Sequence, residues 1–321
     1  MIDQAAPPAS PERVETALRE QLVRGDAVAG TAVPILRHLI AAGDVSLFNE
    51  EIVTRLRAML ADIARQLLDA LMGRQGRTHS AGEVEVVGHA LLDNPALVSH
   101  LHALALEWQL TERLHAAVAL DPVASPLLQR LIASPDELTR NKARAFLAAQ
   151  ARWCQAQRRM SLPLTELPAG LLNVALYTLR TLAGIEPALA DRATVVEGEI
   201  RRSYDEQATR LGLAAHLVAY LVQDRPPTLR VAQAGVPLFL TGIAIGSGQY
   251  RDAAALATHR TQTARLGLTL RAAGLGAGAV EEQCLLLHPD VRPSHDISSL
   301  SCEDAAAILS SALPAARDYT L

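Results

Sequence analysis

Apolar side chains recur along this chain every three or four residues, and the clearest such run lies at 134–182. Ser134-Pro135-Asp136-Glu137 has the form of a helix start: a serine cap, a proline in the first turn, and two carboxylates where the helix dipole favours them. Beyond it Phe146, Leu147, Gln150, Trp153, Cys154 and Gln157 share one face, while Arg140, Arg144, Arg152, Arg158 and Arg159 gather on the other. Met160-Ser161-Leu162-Pro163 stops this helix, and Glu166-Leu167-Pro168 opens a second over 169–182, closed by Gly184. The pattern predicts a helical hairpin with Gln150 and Gln157 in its apolar seam. Buried amides must find partners, so both are expected to bond loop carbonyls.

The same period extends through the rest of the chain. Ser10-Pro11-Glu12 starts a helix expected to end at Gly25-Asp26, and a second covers 31–42. A long third helix over 46–72 carries the stripe Ile52, Leu56, Met59, Leu60, Ile63, Leu67 and Leu71, widened by Phe48, Val53, Ala64 and Leu68. So wide a stripe needs more than one neighbour, which predicts a bundle helix or a dimer seam at Leu56, Met59, Ile63 and Leu67. The polar, glycine-bearing run 73–80 reads as a linker and sets the expected domains at 1–78 and 79–321, with a sub-boundary near 224–228 at Asp224-Arg225-Pro226-Pro227. Short helices are expected at 82–92, 95–108, 111–120 and 126–133, punctuated by Asn94-Pro95, Asp121-Pro122 and Ser125-Pro126. A helix or pair of helices is expected over 187–210, and further helices over 229–234, 237–245, 250–273, 279–287 and 303–313. Repeated proline-led amphipathic units suggest a HEAT-like stacked helical array following the N-terminal bundle. One internal echo fits a duplicated unit: Gln207-Ala208-Thr209-Arg210-Leu211-Gly212-Leu213 returns as Gln262-Thr263-Ala264-Arg265-Leu266-Gly267-Leu268.

Composition sharpens the fold class to all-α. Half of the chain is hydrophobic but only 3% is aromatic, so leucine, alanine and valine must fill the core, and no alternating run supports a strand. The net charge of -4 and its even spread argue against a nucleic-acid partner, and Arg158-Arg159 with Arg201-Arg202 read as solvated helix faces or contact points for an acidic partner. Cys154, Cys284 and Cys302 are too widely spaced for a disulfide framework or a zinc site, and Cys154 falls on a buried face. The first residues lack the basic and apolar regions of a secretory leader, and the apolar runs 211–222 and 231–246 are too short for membrane spans, so a cytoplasmic, soluble protein is expected.

Candidate chemistry does not converge. Glu112 and His115, three residues apart, form half of a di-iron motif whose second half is missing. His100 and His102 are two apart, so a helix points them in different directions. His288, His295 and Asp296 lie in a proline-rich loop, where they resemble fragments of a metal phosphohydrolase pattern without its other ligands. Gly242, Gly246 and Gly248 lack the strand and lysine of a phosphate loop, so close helix packing or a helix end is expected there. His38 is a lone helical histidine. No catalytic, cofactor-binding or metal-ligating residue is assigned, and no cofactor is implied.

Ala149-Gln150-Ala151-Arg152, Gln157-Arg158-Arg159-Met160, Leu162-Pro163-Leu164 and Glu166-Leu167-Pro168 together resemble a segment of an uncharacterised alphaproteobacterial all-helical family with HEAT-like arrays. The resemblance covers about residues 90–200. It implies a helical domain without family site residues to carry over.

These features lead to the expectation of a scaffold or adaptor working through protein partners, a homodimer seamed at Leu56, Met59, Ile63 and Leu67, with Arg158 and Arg159 as further contact residues. A regulatory module holding a small apolar ligand near Leu238, Phe239 and Ile243 is the alternative, and a metal-dependent or phosphotransfer enzyme the third reading.

Overall fold

The computed structural model describes residues 11–42, 50–73, 79–221, 226–290, 297 and 299–312. These residues are all-helical, with no strand among them: α1 (Pro11–Ala42), α2 (Glu50–Met72), α3 (Ala81–Leu92), α4 (Pro95–Val118), α5 (Pro126–Ile132), α6 (Glu137–Arg158), α7 (Ala169–Ala183), α8 (Pro187–Ser203), α9 (Arg210–Tyr220), α10 (Val231–Ser247), α11 (Arg251–Ala257), α12 (Thr263–Ala272), α13 (Ala277–Leu287) and α14 (Cys302–Ala312).

Local chemistry explains most of the boundaries. Asn94 and Ser125 cap α4 and α5 with proline following, as the sequence indicates. At α6 the cap moves two residues: Asp136 accepts from the Thr139 amide at 2.7 Å, and Ser134 holds the Asp136 amide instead. Ser80 and Glu83 form a reciprocal capping box that fixes the start of α3.

Two expected breaks are absent. Gly25-Asp26 does not end the first helix, because the Gln262 amide donates to the Gly25 carbonyl at 2.6 Å and Arg265 pairs with Asp26. These bonds from another part of the chain offset the roughly 1 kcal/mol that a mid-helix glycine costs, and α1 runs through. Likewise 95–108 and 111–120 are one helix, α4. Conversely, the expected helix 250–273 is split by a 3-10 turn at Arg260–Gln262, while the helix or pair of helices expected over 187–210 is α8 followed by a 3-10 turn at Glu206–Ala208. In α10 the path kinks at Gly235 (φ 72°), just before Pro237.

Two apolar cores lie side by side. One joins Val33, Leu36 and Leu39 of α1 to α2, α3, α7, the start of α4 and Ala193 of α8. The other joins Val14, Leu18 and Leu22 of α1 to the later part of α4 and to α5, α6 and α9–α14. Both α1 and α4 therefore feed both cores. Between them sit Trp108, Trp153 and Cys154.

The linker expected at 73–80 does not separate two packed bodies. Residues 74–78 lie outside the described residues, and α2, before them, packs on α3, α4, α7 and α8 after them. At the second expected boundary, α9 and α10 on either side of 224–228 pack on each other. Helices far apart in sequence also meet: α1 touches α12 and α14, α4 touches α11, and α5 touches α10. Units that contact only their neighbours would make none of these pairs.

The seam expected at Leu56, Met59, Ile63 and Leu67 must be corrected. All four are at 0% exposure, enclosed by the chain's own helices. The stripe does serve several neighbours, but they are intramolecular, and no surface remains there for a second copy.

Candidate functional site

Helix α4 is buried on nearly all sides, and a polar side chain on such a helix needs a partner from whatever packs against it. Glu107 is at 0% exposure. Arg210, at the start of α9, donates to its two oxygens at 2.7 and 3.1 Å. Arg251, at the start of α11, donates to the same two at 2.8 and 3.0 Å. One carboxylate thus receives four N–H bonds from two guanidinium forks, the strong bidentate geometry of such pairs.

The clamp extends into an aromatic seam. Arg210 lies 4.1 Å from the centre of the Trp153 ring and reaches Gln150 Oε1 at 3.3 Å. Trp153 meets Trp108 edge to face at 5.8 Å, and Arg55 lies over Trp108 at 5.5 Å while donating to the Gln157 carbonyl at 2.6 Å. Arg251 also donates to the Thr241 hydroxyl at 3.2 Å. The amides of Gln150 and Gln157 donate to the loop carbonyls of Pro122 and Ser161 at 2.9 and 3.2 Å, as their place in the apolar face predicts.

Two guanidiniums on one carboxylate leave one positive charge uncompensated, and Glu166 supplies a further negative group beside Arg210. It accepts from the Arg210 backbone amide at 3.2 Å. Burial raises the Glu166 carboxyl above its ordinary range against the pull of Arg210 and that hydrogen bond. For Glu107 the balance is the reverse: burial alone would raise it, but Arg210 and Arg251 outweigh burial and hold it at about 2. A carboxylate so saturated is neither a base nor a free ligand; chemically it is a joint that fixes α4, α9 and α11.

One face of α4 carries the contact with α11 further. His100 Nδ1 sits 2.9 and 3.0 Å from the two oxygens of Asp252, and its buried Nε2 has no hydrogen-bond partner. Beyond α11 a second polar group assembles. His102 of α4 comes near His259 of the turn that follows α11, while Arg113 of α4, with His259 and Arg260 of that turn, comes near His288 at the end of α13. Burial, and the positive charge of the neighbours, push His102 and His288 down to about 4. The sequence reading connected none of these five residues, which lie on three separate segments.

Other expected sites land apart. Glu112 and His115 are exposed, with His115 Nδ1 3.1 Å from the Leu120 carbonyl. His38 is exposed, while His295 and Asp296 lie outside the described residues. No group of three or more histidine, cysteine, aspartate or glutamate side chains that could hold a metal ion occurs among the described residues. Leu238, Phe239 and Ile243 are fully buried in the packed core. Gly246 of α10 packs against Ala273 and Gly248 ends the helix at φ 69°, the two roles expected for those glycines. Arg158 and Arg159 are exposed at the end of α6. Cys154 and Cys284 are buried, and burial first of all raises both thiols to about 11.

Among the described residues no single helix is long and apolar enough to cross a membrane. No protein-family model matches this chain, and comparisons with curated proteins and with solved structures return no match.

Proposed function

We propose that this protein is a non-enzymatic helical adaptor acting through protein–protein contacts in the cytoplasm, with a second copy of itself among its partners. The observation that carries this reading is a contrast at the α7–α8 hairpin. The buried Glu107 carboxylate is fully partnered by Arg210 and Arg251, while Tyr177, Ile185 and Val195 of the hairpin keep 54%, 87% and 58% of their surface exposed. Helix α8 packs on α7 and α2 and buries fully only Ala193 and Val196, so it lies at an edge of the fold. Arg158 and Arg159 add a cationic contact point for an acidic partner surface.

The apolar-ligand reading has less support, since Leu238, Phe239 and Ile243 are enclosed by packed helices. A groove of about 540 Å³ lies elsewhere, at the surface between α1 and α3 beside Arg37 and Asp93. The resemblance over about 90–200 fits the same proposal. In support of a duplicated unit, each half of the echo begins with a 3-10 turn, enters a helix, and buries an arginine against a carboxylate on a distant helix: Arg210 on Glu107 and Arg265 on Asp26.

Light scattering over a range of concentrations tests the reading. A dimer that dissociates in Ile185→Asp and Val195→Asp, with helicity and melting temperature unchanged, is the expected result. A monomer at every concentration would remove the self-association, and indifference to both substitutions would remove the hairpin from the interface.

A further inference from the structure

We propose that His288, His259, Arg113 and Arg260 form a binding site for a small phosphate-bearing anion, with His102 at its edge. This goes beyond the adaptor reading and does not depend on it.

Three features support the site. First, its charges are of one sign: the groups acting electrostatically on His288 are Arg113, His259 and Arg260, those on His259 are Arg260 and Arg113, and that on His102 is His259. Among the described residues neither Arg113 nor Arg260 enters an ion pair, whereas Arg210, Arg251 and Arg265, elsewhere in the same half of the molecule, all do. Second, His288 is only 5% exposed and its Nε2 is buried with no hydrogen-bond partner, while its ring is held by the Thr258 backbone carbonyl. Six buried side-chain polar atoms among the described residues lack a hydrogen-bond partner, and His288 Nε2 is the one set among Arg113, His259 and Arg260, where a ligand oxygen would supply the missing contact. Third, the His259 Nδ1 is engaged by Thr261, whose amide lies 3.4 Å and hydroxyl 2.8 Å away, which leaves its Nε2–H as a donor. The arginines and His259 are on exposed or half-buried positions, so a ligand has a route in.

A tetrahedral oxyanion matches this set. Its oxygens accept from the guanidinium groups, for which phosphate geometry is well suited, and from His259. His288 becomes a donor only when protonated, so binding takes up a proton. The two histidines held near 4 are neutral in the free protein at neutral pH, an anion beside them favours their charged form, and affinity therefore rises as pH falls. One proton taken up corresponds to about a tenfold gain in affinity per pH unit.

Calorimetric titration of the full chain with sulfate and with inorganic phosphate, at about pH 6 and about pH 8, tests this. Sulfate does not titrate in that range, so its pH dependence reports the protein alone. The expected result is saturable binding of both oxyanions that is at least about tenfold tighter at the lower pH. Acetate and chloride at matched ionic strength should give no saturable heat. Arg113→Gln and Arg260→Gln, both at exposed positions, should each weaken binding by about tenfold, the loss of one charge-assisted contact. His288→Gln should reduce the sulfate pH dependence, and Arg158→Gln should change nothing. The site is overturned if neither oxyanion saturates at the lower pH, if acetate or chloride binds equally, or if the Arg113 and Arg260 variants bind like the parent chain. Because those two substitutions are on the surface, a folding defect in His288→Gln alone leaves the test decisive.

Discussion

Glu107 and His288 are buried to almost the same degree, yet one is fully partnered and the other is not. Around Glu107 charges of opposite sign meet in good geometry, and burial strengthens each bond there. Around His288 the neighbours are cations, the ring is kept neutral by burial and by their charge, and Nε2 is left without a partner. The difference separates two uses of a buried polar group. A saturated carboxylate specifies which helices meet; an unpartnered ring nitrogen among cations is sensitive to whatever supplies the missing contact.

The largest effect expected is at the satisfied end. Glu107→Leu leaves two guanidiniums buried without their counter-ion and should cost on the order of 3–5 kcal/mol in urea unfolding. Adding Arg210→Met and Arg251→Met should recover most of that loss, because an apolar cluster of similar volume replaces the network as a whole. A loss below about 1 kcal/mol for the single variant would mean that the clamp does not hold the three helices.

Acid titration should separate the two regions in pH. His102 and His288 have folded values of about 4, below their ordinary 6.5, so the unfolded chain binds more protons between those limits. Their contribution is present above pH 6.5 and is lost as the pH falls towards 4, on the order of 3 kcal/mol for each group. Glu107, held at about 2 rather than 4.5, contributes above 4.5 and loses that contribution only in the lower window. Urea midpoints measured across pH should show both steps, and His288→Gln should reduce the first while leaving the second.

Thiol reactivity offers a finer check. With Cys154 and Cys284 raised to about 11, modification of the folded chain should begin at Cys302, which is partly exposed and belongs to neither region. Two pKa units correspond to about a hundredfold less thiolate at the buried pair. Rapid reaction at Cys154 would show that the Trp108–Trp153 seam opens. The smallest effect should come from Arg158→Gln and Arg159→Gln, within about 0.5 kcal/mol of the parent stability.

The helical class was legible because a leucine- and alanine-rich period of 3.6 persists over nearly the whole chain. The partners of Gln150 and Gln157 were legible in kind, since an amide on an apolar face has few alternatives. Helix ends set by tertiary contact were not: nothing near Gly25 announces the Gln262 amide, which bonds its carbonyl from 237 residues away. Distance also hid the Glu107 clamp, whose arginines lie 103 and 144 residues further on. A signal was nonetheless present, because one carboxylate in Leu104-Ala105-Leu106-Glu107-Trp108 is a charge in an otherwise apolar run and requires a buried cation. The Leu56 stripe shows the complementary error. Its width correctly called for several neighbours, but a stripe carries no information on whether they belong to the same molecule.

Helix α1 gives the order of assembly a particular form. Leu18 and Leu22 belong to the core completed by α9–α14, and Arg19 donates to Ser311 of α14 at 2.8 Å, across 292 residues. During synthesis the first half of this helix must wait for almost everything downstream before its apolar side is covered. Such long-range closure slows folding and prolongs the interval in which a chaperone can engage the nascent chain.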